Sequence, residues 1–343
     1  MNDNNWAVIG AGVAGITAVA KLLDKGVEGN NVHWICPDFE VGDLGRKWRN
    51  VSGNTSVKRV KDFLLGSAAF ELENKQSDFA IFSMNEEDTC YLRDIVEPLE
   101  WSTSNLMRKV NTYKNKAEKI DSCAGGVQVT LCNNQKIYTN KVIVAIGCEP
   151  KKALYKGIKE IALEKALDPS KLTQEVGSND IVGVFGSSHS AALILKALHE
   201  IGVKKIVNFY LEDLVYAEDT GKGIMHDNTG LKGIAATWAK QYLEDGRVSN
   251  LVRIRSDERT IAKYLPQMNK VVYSIGFDRR KLEIDSDSAR DYDKTTGQII
   301  KNVYGFGIAY PCVMKDLSGQ DELQVGVAKF MKQLDVCLDN WGI

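Results

Sequence analysis

The feature that most constrains this chain is a duplicated pattern of short apolar strand, glycine-rich turn and apolar-faced helix, met near the start and again about 176 residues later, Gly10 to Gly186. In the first copy, NWAVIGAGVAGITAVAKLLDKG, an apolar run passes into helical spacing that puts Ile16, Val19, Ala20 and Leu23 on one face. Gly26 stops that helix and NVHWIC resumes as a strand. The second copy, SNDIVGVFGSSHSAALILKALHEIGVKKIVNFY, repeats the order with Gly202 as its stop. Two such βαβ units, each with a right-handed crossover, predict an α/β chain with two Rossmann-like domains. A length of 343 residues suits two domains of roughly 150 residues.

Composition narrows the function classes. Lys and Arg total 44 against 45 Asp and Glu, a net charge of −1, so the basic excess of a nucleic-acid or anionic-membrane binder is missing and neither partner is expected. Trp6 to Ala20 is uncharged but broken by glycines, and the MNDNN before it is acidic, so neither a bilayer span nor a signal peptide is expected. The seven cysteines are odd in number and form no CxxC or CxxxxC pair, which fits a reducing cytoplasm and argues against local dithiol chemistry. His33, His189, His199 and His226 have no metal-ligand spacing, and no metal site is expected.

Between the copies, Pro37 to about Ser67 reads as a long loop, and Tyr91 to Val110 as a helix broken at Pro98. KAEKIDS, GVQVTLCNNQKIYT and KVIVAIG read as strands with a turn at Asn133-Asn134. Leu231 to Leu243 reads as an amphipathic helix capped by Asp227, Asn228 or Thr229, KVVYSIGF as a strand, and VGVAKFMKQLDVCLDNW as a last helix.

Gly10, Gly12 and Gly15 form GxGxxG, with Val13 and Ala14 between them. The first glycine permits the turn, the second lets backbone approach a pyrophosphate, and the third lets helix and strand pack, while the helix N-terminus meets the anion. Composition alone yields roughly 0.2 such triplets in a chain like this, so the strand before it and the helix after it carry the reading. The acid that would hold a ribose is due at the end of the second strand. Cys36 occupies that slot, leaving either Asp38 or backbone and water to do the work. In the second turn Gly186, Ser188 and Ala191 stand in the glycine positions, and Ser187, His189 and Ser190 complete the candidate phosphate contacts. Tyr210 to Asp213 ends the following strand with acids and no Arg, which favours NADH over NADPH. Tyr216, His226, Asp227, Trp238 and Tyr310 are open to either pocket or packing roles.

Taken together, GAGVAG, GDLGRKW, NVSGNTSVK, VIVAIG, GSSHSA and VVYSIGF occur in an order and spacing that resembles the two-dinucleotide-binding-domain flavoproteins, closest to their flavin-dependent monooxygenase branch. The resemblance implies an FAD domain at 1–150 and 277–343, interrupted by an NAD(P) domain at 151–276. FAD would meet Gly10, Gly12, Val13, Ala14, Gly15, Asp38, Gly45, Arg46, Lys47, Trp48, Asn54 and Ala117. Ala145, Gly147, Gly276 and Gly307 fall in segments that return to the nucleotides. The implied chemistry is hydride transfer from NADH or NADPH to flavin, then electron transfer to a small molecule or O₂, with no catalytic side chain assigned and oligomeric state left open. A flavin-binding sensor without turnover is the alternative. The branch's FxGxxxH segment is not matched: Tyr155, Gly157 and Ile161 stand at its nearest equivalent, and Ile308 stands where many relatives carry Asp.

Overall fold

Both copies of the pattern form parallel sheets in the computed structural model, which describes residues 4–343 apart from 222, 245, 286–290, 316–318 and 320. The chain divides into two compact units: residues 1–49, 56–149 and 279–343 form the first, and residues 50–55 and 150–278 the second. The short 50–55 segment was expected in the first domain, but it packs with the second unit.

In the first unit the sheet order is Gln298–Ile300, Val303–Gly305, Lys141–Val144, Trp6–Ile9, Val32–Ile35, Asn111–Tyr113. Neighbours run parallel except at the Gln298–Ile300 edge. Trp6–Ile9 is central and wholly buried, which is why it reads as a continuous apolar run rather than an alternating one. Helix Val13–Asp24 follows it, and Lys25 and left-handed Gly26 close it. Its core-facing side carries Ile16, Val19, Ala20 and Leu22; Leu23, expected there, is only half-buried. A four-stranded sheet of Glu283–Ile284, Ala117–Cys123, Gly126–Leu131 and Lys136–Thr139 completes the unit, its tight turn made by left-handed Asn134.

Two expectations fail here. The 37–67 stretch is not a loop, because it contains helices Gly42–Lys47 and Val57–Leu64. The second of these buries Val57, Val60, Phe63 and Leu64 on one face, a helical period within a polar text. Helix Leu92–Lys109 also runs unbroken through Pro98. Proline removes one backbone hydrogen bond at a cost of about 3 kcal/mol, which burial of Ile95, Val96, Leu99 and Leu106 offsets.

The second unit has one five-stranded sheet, ordered Lys159–Glu160, Lys270–Tyr273, Ile181–Phe185, Lys205–Tyr210, Leu251–Arg255, with every pairing parallel. Helix His189–Ile201 follows Ile181–Phe185 and ends on left-handed Gly202. The Leu231 to Leu243 expectation is met by helix Gly233–Trp238, continued by a wider-wound turn Ala239–Glu244. Its N-cap is Lys232, not Asp227, Asn228 or Thr229; Asp227 instead forms an ion pair with Lys232.

Candidate functional site

The first turn is shaped by clashes that only glycine avoids. Gly10 has φ +109°, and a Cβ there would lie 2.3 Å from the Ala145 carbonyl oxygen. At Gly15 a Cβ would lie 2.0 Å from the Gly10 oxygen. Gly12 differs, since a Cβ there would meet only Gly42 Cα at 4.0 Å; the absence of a side chain leaves room rather than relieving a clash. Gly10 is pinned from both sides: its N–H donates to the Ile35 carbonyl at 2.8 Å, and its own carbonyl accepts from the Trp34 indole at 2.8 Å. The helix that follows has no side-chain cap, so its first N–H groups are available to an anion.

Gly42 packs onto this turn from the start of helix Gly42–Lys47. Its φ is +59°, and a Cβ there would come within 2.9 Å of Gly12 Cα. Val41 before it is also left-handed, at φ 57°, although it is β-branched and fully buried. That conformation is a true outlier for valine, and it aims the helix at the turn.

Behind the turn lies an ion cluster. Asp43 bonds Arg46 at 2.7 Å, approaches Lys47 at 3.4 Å and also bonds Arg280. Burial pushes the Asp43 carboxyl up, but the Arg280 and Arg46 hydrogen bonds outweigh it and hold the group below its ordinary range. Arg280 further donates to the Ile146 carbonyl at 3.2 Å, and its backbone N–H reaches the Gly147 carbonyl at 3.2 Å. Gly307, at φ +80°, would put a Cβ 2.5 Å from that of Ala14. The structure thus gathers Gly10, Gly12, Val13, Ala14, Gly15, Ala145 and Gly307 around one helix N-terminus, with Arg46, Lys47 and Gly147 linked to it through Asp43 and Arg280.

Other expected residues stand differently. Asp38 is already paired with Arg46 and accepts the Glu40 N–H at 3.3 Å, so it is not a free carboxylate waiting for a ribose. Gly45 is fixed by the Glu40 carbonyl, 2.0 Å from where its Cβ would be, and accepts from Arg49 at 2.8 Å. Trp48 closes its helix. Ala117 is buried in the cluster that holds Ile9 and Ile35. Asn54 is exposed and belongs to the second unit.

The second turn copies the first in backbone. Gly186 has φ +126°, a Cβ there would lie 2.2 Å from the Ser274 oxygen, and its N–H donates to Phe209 at 2.8 Å. Asn208 supplies what Trp34 supplies in the first unit, donating to the Gly186 carbonyl at 2.8 Å. Ser188 is an exposed N-cap with no side-chain cap bond, and Ser187 and Ser190 are half-buried beside it. Gly276, at φ +95°, ends the neighbouring strand's extension and accepts from the Lys151 N–H at 3.1 Å. His189 Nε2 lies 3.3 Å from the Ser52 carbonyl, while its Nδ1 is buried without a partner. Burial lowers the His189 pKa, so the ring is held neutral.

Sequence reasoning missed an arginine here. Arg253 comes from the adjacent strand, in register with Asn208, and its guanidinium lies 4.7 Å over the Tyr210 ring, the slot where a ribose acid was sought. It donates to Asn208 Oδ1 at 3.1 Å, and Nη2 is buried with no partner. The only available signal was strand register, which a linear text does not carry.

The chain also brings two cysteines together. Cys312 and Cys337 have their sulfurs 3.9 Å apart, both buried, a pairing in space that the lack of a CxxC or CxxxxC spacing leaves open. Tyr310 and Trp238 pack rather than line a pocket: Tyr310 lies edge-on to Tyr292 at 5.2 Å and Trp238 stacks on Tyr242 at 5.7 Å. Among the described residues no cluster could hold a metal ion, and no helix is long and apolar enough to cross a membrane.

No family model matches the chain. It is 28% identical to Monooxygenase AgnR1 of Paecilomyces divaricatus, over 97% of this chain and 97% of that one. The ornithine N-hydroxylase of Kutzneria sp. 744, solved with reduced FAD, NADP+ and L-ornithine, is similar with TM-score 0.67 and 11% identity over 98% of each chain. Lactococcus lactis thioredoxin reductase is similar with TM-score 0.58 and 10% identity, again over 98% of each. The fold thus matches that of two-domain FAD- and NAD(P)-binding flavoproteins, as the motifs suggested, and a curated protein similar to the chain over its length is named a monooxygenase.

Proposed function

We propose that this chain is a flavin-dependent NAD(P)H oxidoreductase acting on a small molecule in a monooxygenase-like reaction, with FAD in the first unit and the nicotinamide nucleotide in the second. The observation that carries the reading is the pair of glycine turns, each opening a helix without a side-chain cap, with room beside Gly12 in the first. The N–H groups of Val13, Ala14 and Gly15 would hold FAD pyrophosphate, and Gly307 and Gly147 would bring backbone close to the same group. Flavin, when bound, supplies hydride acceptance and onward delivery of electrons.

The residues of this chain orient and shield. Asp43, Arg46 and Arg280 lock the Gly42 helix to the Gly147 segment, keeping the room beside Gly12 open. In the second unit the Ser187, Ser188 and Ser190 hydroxyls would add donors that the first turn lacks. Arg253 over Tyr210 supports acceptance of NADPH, a revision of the NADH preference read from Glu212 and Asp213. The lack of a CxxC pair speaks against a protein disulfide as the acceptor.

One absorbance series tests this. Purified protein should show a flavin spectrum, natively or after reconstitution with FAD, and the visible band should bleach on addition of NADPH. A colourless protein that takes up no FAD would sink the proposal.

A further inference from the structure

The cysteines form no CxxC or CxxxxC pair in sequence, yet the fold brings two of them together, and that place has the makings of a modification site. Cys312 follows the Tyr310-Pro311 turn, a few residues past Gly307, and Cys337 sits on helix Val327–Asn340. Their sulfurs are 3.9 Å apart, and the residues are 5% and 3% exposed. A disulfide needs sulfurs about 2 Å apart, so a small closure suffices. Gln333, one helical turn before Cys337, is 6% exposed, and both its amide nitrogen and oxygen are buried without a partner. A primary amide left unsatisfied in an apolar interior costs stability unless something there uses it.

We propose that Cys312 and Cys337 form a reversible intramolecular disulfide when the protein meets hydrogen peroxide. The Cys312 thiolate attacks one peroxide oxygen; the O–O bond breaks, water leaves after taking up a proton, and Cys312 becomes a sulfenic acid. The Cys337 sulfur then displaces that hydroxyl as a second water, its own proton leaving with it. Two thiols lose two protons and two electrons, and one peroxide, gaining both, becomes two waters. The buried, unpartnered Gln333 amide would supply a donor to the thiolate that begins the sequence.

The cysteine environments agree with this choice of site. The two sulfurs share a hydrogen bond in which either can donate, and that bond favours a thiolate at Cys312 against the opposing effect of burial. Buried Cys36 and Cys90 go the other way, raised by burial. The bond would tie the segment carrying Gly307 to a helix that is itself ion-paired to helix Val13–Asp24, through Lys21–Asp335 and Lys25–Asp339, each at 2.7 Å. Oxidation would therefore stiffen the backing of the first glycine turn.

The test treats the purified full chain with graded hydrogen peroxide, blocks remaining thiols with iodoacetamide under denaturing conditions and maps tryptic peptides. Cleavage after Lys301, Lys315 and Lys332 puts the two cysteines on peptides 302–315 and 333–343. The expected product is a linked pair of these peptides, short of two hydrogens and separated by dithiothreitol, with a melting temperature raised by about 5 °C. Gln333→Leu should slow formation of the link several-fold while the protein stays folded. Linked peptides at a rate unchanged in Gln333→Leu would overturn the role of Gln333. The proposal itself fails if Cys312 and Cys337 stay alkylatable while exposed Cys123 and Cys132 oxidise, or if Cys312 passes to sulfinic acid without a link. The wild-type map decides this even where a Cys312→Ser variant fails to fold.

Discussion

The two glycine turns share a backbone and differ in chemistry. In each, the first glycine is left-handed and faces a carbonyl too close for any Cβ, at 2.3 Å from Ala145 and 2.2 Å from Ser274. In each, its N–H reaches the end of the second strand at 2.8 Å, and a side chain one register place back on that strand donates to its carbonyl. Beyond that point the copies part. Gly12 and Gly15 have Ser188 and Ala191 as counterparts, and Ala191 is fully buried where Gly15 could carry no methyl at all. The first helix sits tighter on its turn than the second does. Trp34 lies wholly in the apolar core of the first unit, whereas Asn208 keeps its oxygen for Arg253 and puts a charge beside the second turn. The first glycine is a demand of the fold, and the positions after it are where ligand preference is written.

The largest expected effect separates those two kinds of position. Gly10→Ala and Gly186→Ala should each cost about 3 kcal/mol or more, since a methyl meets a backbone oxygen and the residue is forced to positive φ. Calorimetry or urea titration reads this as a lower melting point or as loss of soluble protein. Gly12→Asp should instead leave the apo-protein's melting point nearly unchanged, because nothing but Gly42 Cα comes within 4.0 Å, yet it should abolish FAD binding by putting charge and bulk where phosphate belongs. Ser188→Asp should spare FAD and weaken the nicotinamide nucleotide at least about tenfold. If Gly12→Asp retains FAD, the two turns do not divide the labour as proposed.

A smaller effect concerns Arg253. The guanidinium stacks on Tyr210 and has an unused Nη2, so Arg253→Met keeps the packing stem and removes the charge. The expected outcome is a rise of about tenfold in the apparent Kd for 2′,5′-ADP, with 5′-ADP changed little; one such hydrogen-bonded charge is worth about 1.4 kcal/mol or more. Glu212 and Asp213, both exposed, act against this, and equal binding of the two nucleotides by the wild type would show that they win.

What the sequence disclosed follows the range of the interactions involved. GxGxxG and FGSSHSA were legible because strand, turn and helix lie within about fifteen residues and each position answers a local demand. The Gly42 to Leu64 region was not, because its helices are short and the first opens on left-handed Val41, which no propensity selects. The repeat of Val57, Val60, Phe63 and Leu64 was in the text, masked by Lys and Arg around it. Arg253 and the Cys312–Cys337 pair were out of reach because strand register and helix docking bring together residues that are far apart in sequence. The unbroken helix through Pro98 shows the same rule in reverse, tertiary burial overriding a local break.

The smallest expected effect is a pH dependence to which, of the two turns, the second alone contributes. Val13 holds the corresponding place in the first turn and cannot titrate, whereas His189 is buried and its proton affinity is lowered from the ordinary 6.5. Above pH 6.5 the ring is neutral in both folded and unfolded chains, and its contribution to stability is complete. As pH falls below that value the unfolded chain takes up a proton that the fold refuses, so stability drops until the lowered folded pKa is passed, where the loss levels off. Asp43, Asp168 and Asp180 are held below their ordinary range and contribute little in this window, while His33, also lowered by burial, adds a second term of the same sign. The urea midpoint of the wild type should therefore fall between about pH 7 and about pH 5.5, and His189→Gln should show a shallower fall with His33 accounting for the remainder. A variant with the same slope as the wild type would mean that the His189 ring gains its proton as easily folded as unfolded, and that the two turns do not differ in this respect.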